Sequence, residues 1–127
     1  MSRLLVCIPI ALLAASCSGE GSTVSMTDDH RFDPETITVS IGSTITFKND
    51  TAESHSVTAY EDEVPQAADY FSSGGLSSEQ AARDSVTETL IGAGETYEVT
   101  LDVPGTYRYF CIPHESHGMT GTIEVEE

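Results

Sequence analysis

Gly105-Thr106-Tyr107-Arg108-Tyr109-Phe110-Cys111-Ile112-Pro113-His114-Glu115-Ser116-His117-Gly118-Met119 reads as a strand that stops in a loop, and the rest of the chain can be ordered around it. From Thr106 to Cys111 the side chains alternate, and successive side chains of a strand point to opposite faces. Tyr107, Tyr109 and Cys111 therefore share one face, and the two aromatic rings mark it as the inward one. Before this strand lie a Pro104-Gly105 turn, an alternating run Thr96 to Leu101, a Gly92-Ala93-Gly94-Glu95 turn and a strand expected over Ser85 to Ile91. After it, Thr120 to Val125 closes the chain. Upstream, Thr36 to Ile41 and Thr44 to Lys48 alternate on either side of Gly42-Ser43, predicting a hairpin, and His55 to Tyr60 is a further short strand. Between Glu61 and Asp84 the rhythm breaks. A helical turn is expected at Ala67 to Phe71, a flexible stretch at Ser72 to Gly75, and a short helix through Ala81 to Arg83 opened by a Ser77/Gln80 capping box. Seven or eight short strands with turns between them predict an all-β sandwich with a short helical excursion.

The loop after the strand carries the chemistry. Cys111, His114 and Met119 stand in a Cys-x2-His-x4-Met spacing, which brings a thiolate, an imidazole and a thioether within eight residues. That soft set suits copper, and a second imidazole completes a trigonal His2Cys site with a weak axial Met. His55 is the natural choice, because it opens a strand that a sandwich can bring to the same end. Taken singly, a strand-end cysteine or a nearby methionine is ordinary core. The remaining histidines have ordinary readings: His30, among Asp28, Asp29 and Arg31, is a surface residue, and His117 is a loop residue at the surface.

Cysteine usage and the N-terminus bear on location. Met1 to Ser16 reads as an export leader, with Arg3, an apolar run Leu4 to Leu13 and small residues Ala14-Ala15-Ser16. Cys17 follows directly, as at a lipid-attachment site, although Leu13 lies one place further from it than usual; an ordinary secretory signal is the alternative. Residues 17–29, rich in Gly, Ser and Thr, then form a flexible tether, and 30–127 the folded domain. Cys7 leaves with the leader, so Cys111 is the lone body cysteine of an exported protein and has no partner for a disulfide.

Charge sets the chain apart. It carries 21 acidic against five basic residues, a net −16, which excludes nucleic acid and anionic headgroups as partners of the folded surface. The acids are spread along the chain, which favours a surface adapted to high salt over a docking face for a basic redox partner.

Over nearly its whole length after the leader, the chain resembles the cupredoxins of the plastocyanin type. The pattern Gly105-x-Tyr107-x-x-x-Cys111-x-Pro113-His114-x-x-x-Gly118-Met119-x-Gly121 and the stretch His55 to Asp62 are similar to the halocyanins. The resemblance implies a Greek-key sandwich and one type 1 copper on His55, Cys111, His114 and Met119. It also implies a monomeric, non-enzymatic carrier that shuttles one electron between donor and acceptor proteins of a respiratory or photosynthetic chain. The family's entry point for electrons, a histidine edge within an apolar patch, corresponds to His114 beside Ile112 and Pro113. Where many plastocyanin-like proteins have Asn after the first histidine, this chain has Ser56, whose hydroxyl can make a similar link between the two ligand loops. Pro113 has no N–H for the sulfur, which implies a raised potential. With the lipid anchor at Cys17, the expected place is the outer face of the cytoplasmic membrane or the periplasm. The alternative is a copper-sequestering lipoprotein. A fragment of a multicopper oxidase or nitrite reductase lacks support, since Phe110 and Ile112, not histidines, flank Cys111.

Overall fold

The computed structural model describes residues 21–127, so the leader, Cys7, the lipid attachment at Cys17 and the first part of the tether lie outside the described residues. Eight strands form two four-stranded sheets. The first holds β1 (Gly21–Met26), β2 (Phe32–Asp33), β4 (Ser43–Asn49) and β6 (Thr96–Leu101), in the order β2-β1-β4-β6. The second holds β3 (Thr36–Ser40), β5 (Thr58–Ala59), β7 (Gly105–Phe110) and β8 (Thr120–Glu126), in the order β3-β8-β7-β5. Alternation explains the core between them. Val24, Met26, Ile45 and Phe47 point inward from one sheet, and Tyr107, Tyr109, Ile123 and Val125 from the other. The edges of Phe32 and Phe47 meet the Tyr109 ring at 4.8 and 5.2 Å between centroids, nearly perpendicular, the arrangement that ring quadrupoles favour.

Several expectations change. The tether over 17–29 does not extend past residue 20, because Gly21–Met26 is a core strand paired in parallel with β4 from Gly21↔Thr44 to Met26↔Asn49. The folded body thus includes residues 21–29, not only 30–127. The hairpin is absent: β3 pairs in parallel with β8 while β4 pairs with β1 and β6. Gly42, at φ 81, is the point where the chain crosses from one sheet to the other. Alternation reports which face is buried but not which strand lies alongside. The strand expected over Ser85 to Ile91 is instead the short helix α2 (Val86–Thr89), with only Ile91 bridging to His55. It follows α1 (Glu79–Asp84), whose cap is Ser78, not Ser77: the Ser78 hydroxyl accepts from Ala81 N at 3.0 Å. Of the Ser72–Gly75 stretch, Ser72 and Ser73 are packed, the buried Ser73 hydroxyl accepting from Val57 N and donating to Thr89 O, while Gly74 and Gly75 are exposed.

Candidate metal centre

Three donors converge at one end of the sandwich. Cys111 leaves β7 fully buried, its thiol on the same inward face as Tyr107 and Tyr109. The turn Ile112–His117, closed by Gly118 in the left-handed conformation, folds His114 back toward it. His55 comes from the loop after β4 and is fixed by paired backbone hydrogen bonds with Ile91. Cys111 Sγ lies 3.8 Å from His55 Nδ1 and 3.4 Å from His114 Nδ1, and the two nitrogens are 3.1 Å apart. Met119 is buried at the end of the same loop, with its carbonyl accepting from Cys111 N and its N–H donating to His114 O.

The donor set fits copper. A point about 2.0 Å from all three atoms lies inside a triangle with these sides, which matches metal–imidazole bonds of roughly 2.0–2.1 Å. The hydrogen bonds on the far ring nitrogens also suit a ligand. The Thr51 hydroxyl has three neighbours: Asn49 Oδ1 at 2.7 Å, Glu53 O at 3.0 Å and His55 Nε2 at 2.9 Å. Two of these can only accept, so its single proton goes to one of them and His55 Nε2–H is the donor. Nδ1 is then the free electron pair facing the sulfur. Burial lowers the pKa of His55 and of His114, which keeps both rings neutral, and it pushes the Cys111 thiol up. A cation among these three atoms would displace the thiol proton and be held by all three donors at once.

The surrounding residues hold the loops in register. Ser56 spans them twice: its N–H points at Cys111 Sγ at 3.3 Å, and its hydroxyl accepts from Ile112 N at 2.8 Å. The link expected of Ser56 is therefore present. Buried Asn49 uses its whole amide, donating to Glu53 O and Ile91 O and accepting from the Thr51 N–H and hydroxyl.

All four histidines of the chain gather here: His117 is an exposed residue of the ligand loop, as expected, whereas the surface reading of His30 did not anticipate its place beside His114. His30 stacks on His114 at 4.1 Å and on His117 at 4.8 Å, nearly parallel to both. Its Nε2 lies 3.0 Å from Glu53 Oε2, and His114 Nε2 lies 3.3 Å from the same oxygen. Partly exposed Ile112 and exposed Pro113 neighbour His114 as expected, but a polar cover of His30, His117 and Glu53 crowds the ring as well. His30 sits between β1 and β2, so only the parallel pairing of β1 with β4 brings it to the loop that carries Glu53 and His55. The one sequence signal was the rarity of histidine in so acidic a chain.

Comparison with known proteins places these observations. The sequence profile described as copper binding proteins, plastocyanin/azurin family, matches residues 19–126. Plastocyanin A/B of Petroselinum crispum is 43% identical over 94 residues, covering 74% of this chain and 86% of that protein. A chloroplastic plastocyanin minor isoform of Arabidopsis thaliana is 41% identical over 97 residues, 75% of this chain but only 50% of the relative. Among solved structures, oxidised plastocyanin from Dryopteris crassirhizoma aligns with a TM-score of 0.60 and 28% identity, over 83% of this chain and all of that one. Pseudoazurin from Methylobacterium extorquens AM1 aligns at 0.64 over 85% of this chain and 76% of that one, with 23% identity, a likeness of fold alone.

Proposed function

Since the chain belongs to the plastocyanin/azurin family of copper-binding proteins, we propose that it is an exported one-electron carrier whose single type 1 copper is held by His55, Cys111, His114 and Met119. The observation that carries this reading is the triangle of Cys111 Sγ, His55 Nδ1 and His114 Nδ1, with each side below 4 Å. Bound copper supplies a Cu(I)/Cu(II) couple, which transfers one electron and turns over no substrate.

The protein's share of that work is rigidity and seclusion. Thr51 and Ile91 hold His55 from two sides, and Ser56 ties the His55 loop to Ile112. A donor set that is already in place needs little rearrangement when the charge changes, and exchange is correspondingly fast. Burial of Cys111 and His55 keeps water from the sulfur. The backbone N–H of Ser56 points at the sulfur at 3.3 Å and that of His114 also acts on it, while Pro113 has none to add; a missing bond of this kind leaves a higher potential. His114, its side chain 13% exposed, is the more accessible of the two ligand imidazoles, His55 being fully buried, and the natural point of approach for donor and acceptor proteins. Such contacts are small and quickly released. The leader at 1–16 and a lipid on Cys17 place the carrier outside the cytoplasmic membrane, as a monomer tethered to it.

A spectrum of the purified protein with Cu(II) tests the reading. A type 1 site gives an intense band at about 600 nm that ascorbate bleaches and Cys111→Ser abolishes. Tight but colourless copper binding would instead identify a sequestering protein. Radiolabelled fatty acid retained by the wild type and lost from Cys17→Ser tests the anchor.

A further inference from the structure

Phe110 stands next to Cys111 but points the other way. Tyr107, Tyr109 and Cys111 face the core between the sheets, so the alternation of β7 sends Phe110 to the outer face of its sheet. The ring is nonetheless fully buried. Two residues cover it. Tyr60, just after β5, stacks on it at 4.3 Å and 24°, and the Arg83 guanidinium, from α1, lies 4.4 Å from its centroid, a cation–π contact. The same two residues reach the far side of the metal loop. Arg83 Nη1 and Nη2 donate to the two oxygens of Glu115, each at 3.0 Å, and the Tyr60 hydroxyl donates to Glu115 Oε2 at 2.9 Å. Behind them, Arg83 Nε donates to Glu79 at 2.9 Å. Glu79 and Glu61 each accept at a side-chain oxygen from the other's backbone N–H, at 2.9 and 3.2 Å. The two ends of the helical excursion are thus tied to each other. Phe110 and Glu115 bracket Cys111 to His114, so one guanidinium grips both ends of the segment that carries two of the three strong donors.

We propose that Arg83 is a positioning residue for the copper loop, holding Cys111 and His114 in place through Phe110 and Glu115 before the ion arrives. The proposal rests on His55, Cys111 and His114 being the copper site. Arg83 acts on the protein without metal. There the clamp keeps the loop ordered, and a loop that need not be ordered on binding leaves more of the contact with the ion as affinity. Bidentate pairing with a carboxylate and stacking on a ring both use the planar guanidinium, so lysine replaces it only in part.

Two measurements test this: amide hydrogen exchange of the copper-stripped full chain, and competition with a chelator for Cu(II). The amides that close the loop are those of Cys111, His114 and Met119, which donate to Met119 O, Cys111 O and His114 O. In Arg83→Gln their exchange quickens on the order of tenfold beyond any change at the amides that pair β1 with β4. Copper affinity falls on the order of tenfold with it, and Arg83→Lys recovers part of both. Because the guanidinium acts through the carboxylate, Glu115→Ala added to Arg83→Gln costs no further affinity. Equal quickening at the loop and at β1–β4 would make Arg83 a merely structural contact and overturn the proposal. So would wild-type copper affinity in Arg83→Gln, or losses that add in the double variant. If the wild type binds copper without colour, the type 1 reading fails separately, and loop exchange and affinity still decide whether Arg83 positions these donors.

Discussion

Thr51 and Ser56 show how hydroxyl groups next to the donors decide what the donors can do. Thr51 accepts from His55 Nε2–H and so leaves Nδ1 free for metal. Thr51→Val, which keeps the shape, removes that acceptor, and copper affinity falls about 10–100-fold, the usual effect of losing a bond that orients a metal ligand; competition with a chelator measures it. At Ser56 the hydroxyl, not the backbone, is at issue. Ser56→Ala leaves the N–H to Cys111 Sγ in place but strips the partly buried Ile112 N–H of its partner. A loss of about 1–3 kcal/mol follows, visible as a lower denaturant midpoint in protein without copper. Were Ser56→Ala to melt like the wild type, the bridge between the loops would carry no stability.

Among the elements, the strand-and-loop from Gly105 to Met119 was the most legible, because period two along β7 and the Cys-x2-His-x4-Met spacing are local properties. Pairing was not legible. Thr36 to Lys48 looks like a hairpin from its alternation and its Gly42 turn, yet the two strands lie in different sheets. The helix α2 stands in a Val-Thr-Glu-Thr run that favours strand, and packing overrides the propensity: Thr89 is buried, its hydroxyl donating to Val86 O and its carbonyl accepting from Ser73. His30 escaped notice because its neighbours in space come from a parallel strand pairing, not from its neighbours in sequence. A packing test belongs to β8, where Gly121 lies directly under the ring of Tyr109. A methyl group there would overlap the ring's Cζ and hydroxyl, so Gly121→Ala is expected to cost about 1–3 kcal/mol, read from thermal or urea unfolding. Between α1 and the Ile112–His117 turn, Arg83 pairs with both oxygens of Glu115 and lies over the Phe110 ring. Its hydrogen bonds hold Glu115 below the ordinary value of 4.5. A depressed carboxylate stabilises the fold above that ordinary value and stops doing so as pH falls through the depressed one. The advantage of wild type over Arg83→Gln is therefore expected to shrink in acid, from at most about 1 kcal/mol at neutral pH because both side chains are about a third exposed.

At the scale of the whole molecule the net charge of −16 dominates. Its acids lie on both sheets, on the helical excursion and in the loops, and ion pairs neutralise only some of them. Like charges confined to a small fold repel, and unfolding relieves the repulsion by moving them apart. Salt shortens the Debye length from about 10 Å at 0.1 M to about 3 Å at 1 M, which removes most of that penalty in the folded state. The melting temperature is therefore expected to rise steadily as sodium chloride is raised from 0.1 to 1 M in roughly those same Debye terms. The surface ion pairs weaken over the same range, but each contributes only about 0–1 kcal/mol, so the net effect keeps its sign. Association with a basic redox partner responds in the opposite direction, since the steering that speeds encounter is screened by the same ions. Melting curves and stopped-flow reduction by a cationic partner, taken across one salt series, separate the two uses of the acidic surface. Rising stability with little loss of rate marks a surface built for salt. A flat melting temperature with a steeply falling rate would show that the charge serves docking and would overturn the salt-adapted reading.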